Sequence, residues 1–280
     1  MRLRSGTGAR PTGRGNGPAG RRRAALLAAV PAALAAAVVS AAAAWVLTSH
    51  GVAAAAPRPH VSVAAPRPNA SLGITRTSCS SVAHIGDSTS VGMVSASWLP
   101  DAKQRLAAQL RDVGVRHVQI DASGGRSIVE ELAGQQNGYR VATAWYGAGF
   151  RGCWVIALGT NDAANVAAGS AVGMLTRVQE MMAAVHGEPV LWVTAQTDLT
   201  SGPWSEANMQ LWNETLVRAS ELYPNMRIFN WAGMVQPGWH LADGIHYTSA
   251  GYAVRATAIA RALASAFPAE GHSTTVVVGN

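Results

Sequence analysis

Five short apolar runs, at 82–85, 117–120, 154–158, 190–194 and 227–229, alternate with stretches of helical spacing, and this alternation constrains the fold more than any other feature. The helical stretches cover 102–112, 127–133, 172–185, 206–222 and 249–267. A strand whose chain must cross over through a helix before reaching the next strand pairs with it in parallel, by a right-handed connection. The prediction is an α/β fold of three layers, a parallel sheet covered by helices on both faces. Ligand sites in such sheets gather outside the carboxyl ends of the strands, so the residues just past each run are where chemistry is to be sought.

Charge divides the chain before that body begins. Of 22 basic residues, seven (Arg2, Arg4, Arg10, Arg14, Arg21, Arg22 and Arg23) fall in the first 23 positions, where there is no acid, and the rest carries 15 basic against 15 acidic residues. The net charge of +7 therefore belongs to the leader. A neutral body without a basic stripe has no electrostatic footprint for phosphate, which excludes nucleic acid as a partner. Residues 24–47 contain no charge. They are longer than the ~7 to 15 residues of a signal-peptide core and reach the ~20 that span a bilayer. The segment is thus an uncleaved anchor or, with small residues at 52–56, a cleaved signal, and either places the body outside the cytoplasm. The expected organisation is a leader at 1–23, a signal or transmembrane segment at 24–47, a Pro/Ala-rich tether at 48–78, one domain at 79–267 and a tail at 268–280.

Three islands sit where the strand argument points: Gly86-Asp87-Ser88, Gly159-Thr160-Asn161-Asp162 and Asp243-Gly244-Ile245-His246. A serine hydroxyl is a poor nucleophile at neutral pH and needs an imidazole to take its proton. Ser88 and His246 supply that pair, and Asp243, three residues before the histidine, can hold its ring in one tautomer. Asn161 is a plausible donor to the negative oxygen of a tetrahedral intermediate. Each island alone is a turn or cap sequence; their joint occurrence at strand ends and before the last helix is what points to catalysis. A metal centre from Asp162, Asp198, Asp243, His240 and His246 is the rival chemistry, but no metal-ligand spacing supports it. A non-catalytic binding module is the rival of another class, opposed by the presence of Ser, Asn, Asp and His together. His240 reads as a surface-loop residue or a pocket-lining one, and Trp204 and Trp239 as the tryptophans on catalytic-side loops.

These blocks resemble the SGNH hydrolase superfamily, the GDSL esterase/lipase family. Gly86-Asp87-Ser88-Thr89-Ser90 resembles its first block, Gly159 to Asp162 its third and Asp243 to Thr248 its last; Asp121 to Ser127 is a looser second block. The resemblance covers the chain from about Cys79 to Phe267. It implies a flavodoxin-like α/β/α sandwich with a five-stranded parallel sheet in the order 2-1-3-4-5, and hydrolysis or transfer of an acyl group through a seryl ester. It assigns Ser88 as nucleophile, His246 as general base and then acid, and Asp243 as its orienter. The oxyanion would be held by the amides of Ser88 and Gly125, with Gly124 as the alternate, and by the Asn161 side chain. No metal or organic cofactor is implied, and the partner is an acyl ester on a small molecule, a glycan or a lipid, bound by a monomer. Thr89 stands where the lipase-like branch often has Leu, which weakens the case for lipase activity in particular and leaves the triad untouched. Cys79 and Cys153 precede Gly86 and Gly159 by seven and six residues. If their strands are parallel neighbours, as strands 1 and 3 are in that order, the thiols share one end of the sheet and can pair, the alternative being two separate buried cysteines.

Overall fold

The computed structural model describes residues 75–273 and 275–279. The leader, the 24–47 segment and most of the tether lie outside these residues; among the described ones no helix is long and apolar enough to cross a membrane. The strands are β1 (Ser81–Gly86), β2 (His117–Ala122), β3 (Cys153–Ala157), β4 (Val190–Val193), β5 (Met226–Phe229) and β6 (Val277–Val278), all parallel in the order 2-1-3-4-5-6. The helices are α1 (Ser88–Val94), α2 (Leu106–Asp112), α3 (Gly138–Gly147), α4 (Thr160–Ala167), α5 (Met174–Ala184), α6 (Glu206–Ser220) and α7 (Ser249–Ala266).

The sheet has six strands rather than the five expected. β6 completes the open edge of β5, with Ile228 N–H donating to Val276 O at 2.8 Å and Asn230 N–H to Val278 O at 2.9 Å. Two valines in the expected tail are too few to show a strand period.

Side chains alternate across the central strands and fill two cores. Val82, Val155, Leu191 and Phe229 pack with α2 and α7 on one face, whereas Ala83, Ile85, Trp154, Ile156, Trp192 and Ile228 pack with α3, α5 and α6 on the other. That double burial explains why β1, β3 and β4 read as continuous apolar runs. β2, at the edge, exposes His117 and Gln119.

The helix expected at 127–133 does not form, because its backbone groups are committed to partners outside the segment. Ile128 N–H donates to Asp162 Oδ1 at 2.9 Å, the carbonyls of Ser127 and Ile128 accept from Gly138 N–H (2.8 Å) and Tyr139 N–H (3.2 Å), and Val129 O accepts from Asn137 Nδ2 at 2.6 Å. The helix of that crossover is α3, capped by the Asn137 side chain on Arg140 N–H.

At the amino end of the sheet Cys79 and Cys153 form a disulfide, their Cα atoms 5.7 Å apart. The parallel register that sets Val82 beside Cys153 brings the two thiols to the same level. Thr77 bridges to Pro268, clasping the domain entrance to the end of α7.

Candidate active site

Ser88 opens α1 one residue past β1, and Asp87 fixes it there. The Asp87 carboxylate, wholly buried, accepts Thr89 N–H at 2.8 Å and Thr89 Oγ1–H at 2.7 Å, capping the helix. Burial raises the Asp87 pKa, opposed by those bonds and by the charges of Arg255 and His246. The last block therefore lies within electrostatic reach of the first. The first turn of α7 closes the arrangement, with Tyr252 Oη donating to Ser88 O at 3.4 Å.

His246 Nδ1 and Asp243 Oδ2 lie 2.7 Å apart, and Asp243 Oδ1 accepts the N–H groups of Ile245 and His246, each at 2.9 Å. Burial works against the Asp243 carboxylate, but these bonds together hold its pKa below the usual value. An ionised Asp243 fixes the proton of His246 on Nδ1 and leaves Nε2 as the basic nitrogen. Ser88 Oγ, Ser88 N–H and His246 Nε2 make no hydrogen bonds among the described residues.

The second block forms a tight turn past β2. Arg126 N–H donates back to Ser123 O at 3.4 Å, and Gly125, at the third position with φ +70°, takes the left-handed conformation a type II turn requires. A side chain there would also meet Leu132 Cδ1 at 2.5 Å. The amides of both Gly124 and Gly125 are without hydrogen-bond partners among the described residues, so both remain candidate oxyanion donors. The buried Arg126 side chain staples the turn to the strand ends, donating to Gly86 O (3.3 Å), Asp121 O (3.0 Å) and Asp121 Oδ1 (2.9 Å).

The third block starts α4. Gly159 packs so closely under Trp212 that a Cβ would lie 2.1 Å from its Nε1. Asn161 Nδ2 donates to Arg126 O at 3.0 Å, which joins the second and third blocks directly. Next to it Asp162, fully buried, accepts from Ile128 N–H and from Arg177 Nη1 at 3.0 Å.

Arg177 was not singled out by sequence reasoning, nor were Glu130 and Arg255. Burial opposes ionisation of Glu130, but hydrogen bonds from Arg177, Ser170 and Ser127 hold its carboxyl well below the usual carboxylate range. Nothing in the local sequence marks these partners, since Glu130 and Arg177 stand 47 positions apart.

His240 is buried, stacked on Tyr247 at 4.7 Å with Nδ1 3.0 Å from Asp198 Oδ2, and is not the surface-loop residue the sequence suggested. Among the described residues no three of the rival metal ligands share a point where an ion could sit: Asp162 is taken by Arg177, Asp198 faces His240 and Asp243 faces His246.

No family model matches the chain, and no curated protein matches it by sequence. Solved structures do. The lipase/acylhydrolase from Enterococcus faecalis is 16% identical, with a TM-score of 0.50 over 68% of this chain and 99% of that one. A carbohydrate acetylesterase family member from Sinorhizobium meliloti is 16% identical, with a TM-score of 0.51 over 66% of this chain and 95% of that one. Est24, a carbohydrate acetylesterase from the same organism, is 16% identical, with a TM-score of 0.52 over 67% and 99%. The chain shares their fold. The α/β/α sandwich implied by the resemblance is thus the observed one, with one more edge strand.

Proposed function

We propose that the chain is a serine hydrolase of the SGNH type that hydrolyses or transfers an O-acyl group outside the cytoplasm. The observation that carries the reading is the Asp243–His246 pair at 2.7 Å, set on the carboxyl-end side of the sheet where Ser88 stands with a free hydroxyl. Ser88 Oγ attacks the acyl carbon while His246 Nε2 takes its proton, then returns it to the departing alkoxide. Water or an acceptor hydroxyl, deprotonated by the same nitrogen, resolves the seryl ester. The Ser88 amide, a glycine amide of the 123–126 turn and Asn161 Nδ2 converge on the oxyanion, each such donor contributing about 3 kcal/mol to lowering the barrier. Extracytoplasmic action is supported by the Arg-flanked apolar segment and by the Cys79–Cys153 disulfide, a bond that persists in oxidising compartments.

The test is labelling by a fluorophosphonate probe together with turnover of p-nitrophenyl acetate. The expected result is labelling of wild type, none of Ser88→Ala, and a fall in kcat of at least ~10³-fold in Ser88→Ala and His246→Ala. An unlabelled wild type would return the chain to the class of binding modules, and full activity in Ser88→Ala would reject the nucleophile.

A further inference from the structure

The side-chain amide of Asn161 is held at both ends. An amide can be turned over at little cost unless its two ends meet unlike partners, and here they do. Arg126 O, which can only accept, lies 3.0 Å from Nδ2. Trp204 Nε1, which can only donate, lies 3.3 Å from Oδ1. These two contacts fix which end is nitrogen, occupy one Nδ2 hydrogen and leave the second to point elsewhere.

We propose that Trp204 is a positioning residue for the oxyanion site: its indole N–H sets the orientation of the Asn161 amide, so that the remaining Nδ2 hydrogen faces the oxyanion before substrate arrives. The inference rests on the serine-hydrolase reading of the site and extends it to a residue outside the four blocks. The indole does not hang from a free loop. Thr197, fully buried past β4, donates its hydroxyl to Trp204 O at 2.7 Å, and the Glu206 carboxylate accepts Thr197 N–H at 2.9 Å. Glu206 N–H in turn donates to Leu199 O at 2.8 Å. The segment feeding into this loop is tied to α6, where the Asn213 amide bonds both the N–H and the C=O of Ala195, at 2.9 and 2.8 Å. The loop thus carries Trp204 as a rigid arm from β4 to the start of α4, while the residue stays 39% exposed. So exposed a tryptophan contributes little to the core, and the hydrogen bond gives its position a purpose.

Preorganisation acts on the transition state, because a donor already aimed at the developing charge needs no reorientation during the reaction. Losing the indole N–H should therefore lower kcat and leave KM in place. The experiment compares wild type, Trp204→Phe, the variant with benzothienylalanine at 204 (an indole isostere lacking only the N–H), Asn161→Ala and the Asn161→Ala/Trp204→Phe double variant. Each is assayed on p-nitrophenyl acetate alongside Ser88→Ala. We expect kcat to fall about 3- to 10-fold in Trp204→Phe and in the benzothienyl protein, the worth of one hydrogen bond, with KM within twofold. In the Asn161→Ala background the Trp204→Phe change should have no further effect. Wild-type kcat in both Trp204 variants, a loss carried by KM, or losses that multiply in the double variant would each overturn the role. An inactive Ser88→Ala beside an unimpaired Trp204→Phe defeats only the positioning role, whereas an active Ser88→Ala defeats the serine mechanism and the role with it.

Discussion

Besides Arg126, two buried arginines stand near the candidate site, one on each face of the sheet, and they are held in opposite ways. Arg177, on α5, uses all five of its N–H groups: Nε donates to Val172 O, Nη1 to Glu130 Oε2 and Asp162 Oδ1, and Nη2 to Glu130 Oε1 and Ser170 Oγ. Arg255, on α7, has one hydrogen bond, 3.4 Å from Nη2 to Thr89 Oγ1, while Nε and Nη1 have no partner among the described residues. Its guanidinium instead lies 5.0 Å from the Trp231 ring centroid and 5.3 Å from that of Tyr247. The first cation is saturated by two carboxylates; the second is offset by aromatic faces and by the more distant Asp87. A saturated network locks a loop in one geometry, whereas a field-held cation acts on the protonation of its neighbours. Arg177 thus serves the proposed oxyanion side, where Glu130 and Asp162 tie the loop after Arg126 to α4. Arg255 serves the side of the proposed nucleophile, where it acts on Asp87 and on the buried His84.

The largest expected difference follows from removing each cation. Arg177→Met leaves Asp162 buried without its counter-charge, and removing one partner of such a pair costs about 3–5 kcal/mol. Arg255→Met breaks one long hydrogen bond and keeps most of the volume, so a loss of about 1–2 kcal/mol is expected at pH 7. Urea unfolding of both variants at pH 7 measures this. Equal losses would erase the distinction between the two sites.

A second difference lies in pH. Burial, reinforced by the charges of Arg255 and Arg126, pushes the His84 pKa down to about 3, against an unfolded value near 6.5. Below pH 6.5 the unfolded chain binds a proton at His84 that the folded protein refuses, so stability falls as pH drops through this window. The slope from this one group is at most about 1.4 kcal/mol per pH unit. Glu130 acts lower down: its pKa is depressed in the folded protein, so its contribution is complete above the ordinary carboxylate range and disappears as pH falls beneath it. The loss that His84 carries therefore begins at higher pH than the loss that Glu130 carries. Urea unfolding of wild type and His84→Gln from pH 6.5 to 4.5 tests this, the variant being expected to show the shallower slope by about 1–2 kcal/mol over the range. Parallel curves would mean that His84 carries no such cost.

The same contrast separates what could be read from the sequence. Strands buried on both faces are apolar throughout, so β1, β3, β4 and β5 were visible as runs, and the order of the islands placed Ser88, Asn161 and His246 at the carboxyl end of the sheet. The cysteine pairing was suggested by offsets of seven and six residues before Gly86 and Gly159, once the resemblance made their strands neighbours. The short helices α1 and α4 escaped because they contain poor helix formers such as Gly92, Asn161 and Asp162 and depend on caps and packing. At 127–133 the apolar spacing of Ile128, Val129 and Leu132 imitated a helix, yet the backbone there is committed to Asp162, Gly138 and Tyr139. Contacts across 34 or 47 residues leave no local period, which is why neither Arg177 nor Glu130 drew attention. His240 misled for the opposite reason: its loop position suggested solvent, but stacking on Tyr247 encloses it.

The smallest expected effect isolates the field of Arg255. Its positive charge disfavours protonation of both His84 and Asp87, since it lowers the pKa of each. Without it the folded protein takes up protons at both groups more readily, while the unfolded chain is unchanged. The difference in bound protons between unfolded and folded states then shrinks, and with it the dependence of stability on pH. Arg255→Met should therefore lose less stability than wild type between pH 6.5 and 4.5, by about 1 kcal/mol, even though it starts lower at pH 7. Arg177 lies on the other face and is not among the charges acting on His84 or Asp87; its removal shifts Asp162 and Glu130 instead. Urea unfolding of wild type and Arg255→Met at pH 6.5, 5.5 and 4.5 measures the change. An unaltered curve for Arg255→Met would show that the field on His84 and Asp87 comes from somewhere other than Arg255.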